Sequence, residues 1–208
     1  MRPSLYERLV LPRLVDSVCG TRVIERQRRA VVPQARGEVL EIGFGSGLNL
    51  PYYDRGQVGR LWALEPSAPM RALAAGRIAA AGLDVRLLDA PGEALPLPDH
   101  SVDTVVVTYA LCTIPDAPAA LAQARRVLRP GGRLLFAEHG AAPDAGVRRW
   151  QDRLDRPWSR LAGGCHLNRD VAALLARAGF RVDEVQTGYL RGTPRWAGFN
   201  TWGSACPA

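Results

Sequence analysis

Hydrophobic and polar positions alternate along this chain in two rhythms. Residues 4–20 and 21–35 place apolar side chains at helical spacing, which predicts two short helices. From Gly37 the rhythm changes to short apolar runs, most of them followed by a longer helical pattern. "GEVLEIG", "GRLWALEP", "LDVRLLD", "SVDTVVVTYALC" and "RLLFAEHG" read as five strands. Between them, Leu48 to Tyr53 predicts a brief helix. Ser67 to Gly82 predicts a longer one, with serine as its cap and glycine as its stop, and "DAPAALAQARRVLRPGG" a third with a proline–glycine stop. A polar helix over Val147 to Leu161 comes next. "GGCHLN" follows, then a helix capped by Asn168, running to Ala178 and closed by Gly179.

Strands alternating with helices imply a parallel sheet covered on both faces, an α/β doubly wound fold. "FRVDEVQTG" and "RWAGFNTWGSA" are two closing strands with no room for a crossover helix between them, so they should pair antiparallel. The pattern holds no internal repeat and no interdomain linker, so residues 1–208 read as one domain.

Composition narrows the partners. Apolar residues make up 47% of the 208, enough for one core. No apolar run approaches the roughly 18 residues that a membrane-crossing helix needs. The amphipathic N-terminus has no uninterrupted apolar stretch of a secretory signal. Formal net charge is +7, and all 27 Lys/Arg positions are arginine. The arginines are scattered and no nucleic-acid-binding module is recognisable, so nucleic acid is not an expected partner. Cys19, Cys112, Cys165 and Cys206 are far apart and form no C-x-x-C. That predicts no metal site, no disulfide framework and reduced thiols in a cytoplasmic protein.

The candidate chemistry lies at strand ends. "VLEIGFGSG" closes the first strand with Gly43, Gly45 and Gly47 in alternate positions. A dinucleotide fingerprint has its third glycine one place later, and a triphosphate loop requires a lysine, which this chain lacks. Glu65 ends the second strand roughly twenty residues on, where a carboxylate can accept hydrogen bonds from both ribose hydroxyls. A nucleoside without phosphate fits best. S-adenosylmethionine is such a ligand: its amino-acid end can lie against glycine backbone while its ribose meets Glu65.

"VLEIGFGSG", "ALEPS", "EALPLPDHSVDTVV" and "ARRVLRPGGRLLFAEHG" follow one another as the motifs of class I S-adenosylmethionine-dependent methyltransferases do, and the chain resembles that family over about residues 37–140. The resemblance implies a Rossmann-like sheet of seven strands, mostly parallel with the last strand antiparallel, and N-terminal helices over the cofactor site. It implies S-adenosylmethionine as cofactor and S-adenosylhomocysteine as product. Carried over by motif, Glu41, Gly43, Gly45 and Gly47 line the methionine end, Glu65 binds the ribose, and Pro66 and Met70 lie near the adenine. Asn49, Thr108 and Tyr109 complete the cofactor set. The adenine turn departs from the family, because "LLDAPGEALPLP" puts Pro91 where an aspartate is common. Asp89, Gly92 and Glu93 are the residues left to serve it. Residues 1–36 would form a helical lid, 37–140 the cofactor-binding core, and 141–208 the acceptor-side helices and closing strands.

Methyl transfer from a sulfonium is an in-line displacement. It needs positioning and exclusion of water, and a base only where the acceptor must lose a proton. The catalytic candidates are therefore His139 and Cys112 at strand ends and Tyr6 in the lid. Cys112 reads more readily as a small buried apolar residue, and Tyr6 can simply be packing of the first helix. Cys165 and His166 are adjacent and cannot easily face one ligand together, so "GGCHLN" reads as a loop before a helix. "VVVTYALCTIPD", "LLFAEHGAAP" and "RLAGGCHLNRDVAALLARAGF" resemble the membrane-associated alkyl-thiol methyltransferases and their soluble bacterial relatives. That resemblance implies a small thiol or hydrosulfide acceptor, which His139 deprotonates or orients. The apolar anchor of that subgroup is missing, which implies a soluble form. A lipid-like amine or a quinone carbon stays open as acceptor, reached through peripheral membrane contact by the amphipathic N-terminal helices. So does a cofactor-binding protein without turnover.

Overall fold

The computed structural model describes residues 4–208, so the first three residues of the expected lid lie outside the described residues. After one wide turn at Tyr6–Val10, helix α1 (Leu11–Cys19) and helix α2 (Arg22–Val31) form the N-terminal pair. Five strands then run parallel: β1 (Gly37–Ile42), β2 (Val58–Leu64), β3 (Val85–Leu88), β4 (Val102–Thr108) and β5 (Leu128–His139). Strand β7 (Phe199–Pro207) inserts antiparallel between β5 and β6 (Phe180–Tyr189). The sheet has seven strands in the order β3-β2-β1-β4-β5-β7-β6, with the last strand reversed as expected.

The central strands are unbroken apolar runs because both of their faces are covered. Leu40, Ile42, Val105, Val107, Leu134 and Phe136 pack on one side against α4 (Ala117–Val127) and α6 (Val171–Arg177). Their neighbours Val39, Val106, Leu135 and Ala137 point to the other side, toward α2 and α3 (Ala68–Ala81). Among the described residues no helix is long and apolar enough to cross a membrane.

Four local expectations change. The stretch Leu48 to Tyr53 is a single tight turn at Leu50–Tyr52, because Pro51 lacks a backbone donor and buried Leu50 and Tyr53 anchor both ends. Helix α6 is capped by Asp170, whose carboxylate accepts from Ala173 N at 3.0 Å, while Asn168 bonds Asp152 at 2.8 Å. Arg195–Gly198 is a helical turn, so the last strand starts only at Phe199. The polar helix, here α5 (Ala145–Leu161), begins two residues earlier than its pattern predicts.

The strand order winds outward in opposite directions from β1 and β4, which opens a crevice at the carboxyl ends of these two parallel strands. Gly43 leaves β1 there at φ +73°, and a Cβ on it would come within 2.3 Å of Ala110 Cβ. Only glycine lets the chain turn at that point without displacing the segment after β4.

Candidate active site

A cavity of about 660 Å3 fills this crevice, roofed by Leu11, Pro12, Val15, Asp16 and Cys19 of α1. Asp16 holds the roof down. Its carboxylate accepts from the Ser46 hydroxyl and from Arg77 Nη1 at 2.8 Å, and Arg77 also donates to Ser46 O at 2.9 Å. Glu41, Gly43, Gly45, Glu65, Pro66 and Met70 all line the cavity, as do Gly92, Glu93, Thr108 and Tyr109.

Gly47, Asn49 and Asp89 are not among its lining. Gly47 packs within the turn, where a Cβ would lie 3.0 Å from Leu50 Cδ1. Asn49 stands behind the wall, donating to Glu41 Oε1 at 2.9 Å and Thr108 Oγ1 at 3.0 Å. Asp89 turns away to an exposed ion pair with Arg71 at 2.7 Å.

At the deep end Glu41 is buried and accepts from Tyr53 OH at 2.6 Å as well as from Asn49. Burial pushes its carboxyl up to about 7 against the pull of Tyr53, Arg28 and Asn49. Arg28, from α2, is buried and lines the cavity. It donates to Asn49 Oδ1 at 2.9 Å and Thr108 Oγ1 at 2.8 Å, and its guanidinium stands 5.1 Å from the Tyr109 ring centroid. In the sequence Arg28 is one of many arginines on an amphipathic stretch, with no signal that it turns inward. Nearer the mouth, Glu65 accepts from Gly45 N and Ser67 N, both at 2.8 Å. Those two bonds fix its plane and leave acceptor positions on each oxygen.

On the opposite side, Tyr109 adopts φ +53° and starts a sharp turn after β4. Buried Glu138 holds that turn, accepting from Ala110 N at 2.7 Å and Leu111 N at 3.0 Å. The turn carries Cys112 to His139 and Cys165, and the three ligand atoms lie within 4.8 Å of one another. His139 Nε2 is 3.2 Å from Cys165 Sγ. The neighbouring Cys112 sulfur and burial push the Cys165 thiol well above its ordinary range, so it stands beside the imidazole as S–H. His166 faces the other way, with Nδ1 2.8 Å from Asp155 Oδ2. Thr113, Ala162 and Gly163, chain neighbours of this cluster, line the cavity. Tyr6 does not line it. Its hydroxyl donates to Leu161 O at 2.8 Å and ties the N-terminal segment to the end of α5.

The profile of Methyltransf_11, a methyltransferase domain, matches residues 40–136. Thiol S-methyltransferase TMT1B of Homo sapiens is 33% identical over 179 residues, which cover 80% of this chain and 72% of that protein. The chain belongs to the class I S-adenosylmethionine-dependent methyltransferases. Demethylmenaquinone methyltransferase of Thermus thermophilus is 35% identical over 121 residues, covering 56% of this chain and 55% of that one. A solved methyltransferase from Thermotoga maritima, described as a possible histamine N-methyltransferase, covers 98% of both chains with a TM-score of 0.66. At 22% identity it speaks to the fold alone.

The cofactor of this methyltransferase is S-adenosylmethionine. The residues present fit it. Glu65 offers unfilled acceptor positions suited to a pair of ribose hydroxyls. Gly45, at φ +59°, leaves bare backbone where a Cβ would sit 3.4 Å from Met70 Cε. Glu41 and Arg28 supply one acidic and one basic group for a zwitterionic amino-acid end.

Proposed function

We propose that this methyltransferase methylates a small thiol or hydrosulfide. The observation that carries the reading is the His139–Cys165 contact at 3.2 Å beside Cys112, in a cluster whose chain neighbours Thr113 and Gly163 line the cofactor cavity. Similarity to a thiol S-methyltransferase supports it. When bound, the cofactor supplies a methyl group on a cationic sulfur. The chain's own residues do the rest. Glu65 holds the ribose, and Gly43 and Gly45 let backbone approach the amino-acid end. Glu41 takes the α-ammonium and Arg28 the α-carboxylate. Backbone at Gly92 and Glu93 borders the adenine, since the Asp89 side chain is committed to Arg71. The α1 roof excludes water, and the cluster of Cys112, His139 and Cys165 holds the acceptor sulfur and favours its thiolate.

The test is incubation with methyl-labelled cofactor, a panel of small thiols, and a lipid and quinone extract. Labelled thioether is the expected product. Label only in a quinone or lipid amine would overturn the thiol reading, and a labelled quinone would favour the chemistry named for the Thermus thermophilus relative.

Two further results are expected of the deep end. Cofactor affinity should fall as pH drops through about 7, because the ammonium requires Glu41 ionised and its carboxyl titrates near there. The limiting slope is about tenfold per pH unit, read by calorimetric titration, and it should vanish in Glu41→Gln. In the cofactor-free chain the sign is opposite. Folded Glu41 keeps a proton that the unfolded chain has lost above its ordinary range, so stability declines as pH rises toward 7. Arg28→Ala leaves the buried acceptors Asn49 Oδ1 and Thr108 Oγ1 without their cation. It should cost about 3 kcal/mol in urea unfolding and weaken cofactor binding. An unfolding midpoint equal to the parent's would remove Arg28 from this network.

A further inference from the structure

Cys112, His139 and Cys165 come from three separate segments: the turn after β4, the last residue of β5 and the loop after α5. The loop is stitched to the turn by His166 N donating to Cys112 O at 2.8 Å, so the two sulfurs are held in place by backbone. Cys112 is buried and the other two are half-buried. Cys165 contacts both His139 and Cys112, and the Thr113 hydroxyl stands 3.5 Å from Cys112 Sγ. Among the described residues no guanidinium donates to either sulfur, and the His139 imidazole is the one basic group against Cys165.

The donor set itself points to a ligand. Two sulfurs and an imidazole are soft donors, suited to zinc and unsuited to magnesium or calcium. Tetrahedral zinc holds sulfurs about 3.8 Å apart and sulfur and nitrogen about 3.5 Å apart. The three atoms here, all within 4.8 Å of one another with one pair at 3.2 Å, need only small side-chain rotations to meet those separations. Two thiolates would balance a divalent charge. Three protein ligands leave a fourth position open, which is the pattern of reactive rather than purely structural zinc.

We propose that Cys112, His139 and Cys165 bind a thiophilic divalent cation, zinc in the first instance, with an open fourth position at the rim of the cofactor cavity. Resting on the thiol reading above, the acceptor sulfur takes that position. Its S–H proton passes to water as the metal–sulfur bond forms. A sulfur lone pair then makes the new S–CH3 bond, and the sulfonium C–S bond breaks with its electron pair left on the departing thioether. The metal–sulfur bond opens as the methylated product leaves.

The experiment uses the full chain without a histidine tag. Metal is measured by mass spectrometry of the isolated protein, and cobalt is titrated into metal-stripped protein under reducing conditions. The expected results are one equivalent of zinc and a sulfur-to-cobalt charge-transfer band. Cys112→Ser, Cys165→Ser and His139→Ala should each weaken metal binding at least about tenfold. Cys206→Ser, whose sulfur lies beside Asp183 and Arg181, should keep it. Melting curves and cofactor titration on each variant separate loss of the site from loss of the fold. Should a Cys112 or Cys165 variant fail to fold, cobalt binding by its His139→Ala counterpart decides. Wild type without the band, a band that survives in all folded variants, or an isolated protein carrying a Cys112–Cys165 disulfide overturns the proposal. Metal bound without thiol methylation would leave the site standing and remove the thiol reading. Thiol methylation by protein that binds no metal would do the reverse.

Discussion

Glu65→Ala should weaken S-adenosylmethionine binding about 100-fold. Each hydrogen bond to a charged group contributes about 1.5 kcal/mol or more, and Glu65 has acceptor positions for two ribose hydroxyls. Together that is about 3 kcal/mol, or two powers of ten in affinity. Glu65 also ties Gly45 N and Ser67 N, so its loss loosens the glycine turn and the start of α3. A melting curve without ligand reads that second effect separately. Glu65→Gln keeps one acceptor oxygen and should fall between the two. Calorimetric titration is the measurement, and an affinity within threefold of the parent would move the ribose elsewhere in the cavity.

His139→Ala should leave cofactor affinity within about twofold of the parent while turnover falls about 100-fold or more, because the cluster that holds and activates the acceptor sulfur loses its imidazole. The separation follows from geometry. His139 meets Cys165 at the rim and is absent from the lining of the cavity that Glu41, Glu65 and the glycines build. Steady-state kinetics on a thiol substrate, beside the same calorimetric titration, reads both quantities. An unchanged rate would mean that the cavity aligns the acceptor without help from the cluster.

Much of the fold is legible in the chain because its signals are local. "TVVV" in β4 and "LLF" in β5 are too apolar for anything but strands covered on both faces, and the glycine turn lies next to the strand it ends. Leu48 to Tyr53 misled because helical spacing over six residues counts for less than Pro51 and two buried anchors. Asn168 misled because Asp170, two places on, can also cap and its carboxylate reaches Ala173 N. Asp89 sits at the expected strand end, yet Arg71 lies one turn into α3 and captures it.

By itself the sequence determined the cofactor class. The turn from Gly43 to Gly47 and the carboxylate at Glu65 are short-range features at the ends of neighbouring parallel strands, and parallel pairing makes them neighbours in space. Only the tertiary structure brings together the residues of the proposed acceptor end. Cys112, His139 and Cys165 are separated by more than twenty residues each, and no spacing along the chain records that they converge, although "GGCHLN" lies in a stretch that resembles the alkyl-thiol methyltransferases. They meet because Glu138 folds the chain back after β4 and because the loop after α5 packs on that turn through Cys112 O. Arg28 is the same case: its place between Asn49 and Thr108 depends on α2 packing over the sheet, which no spacing within α2 records.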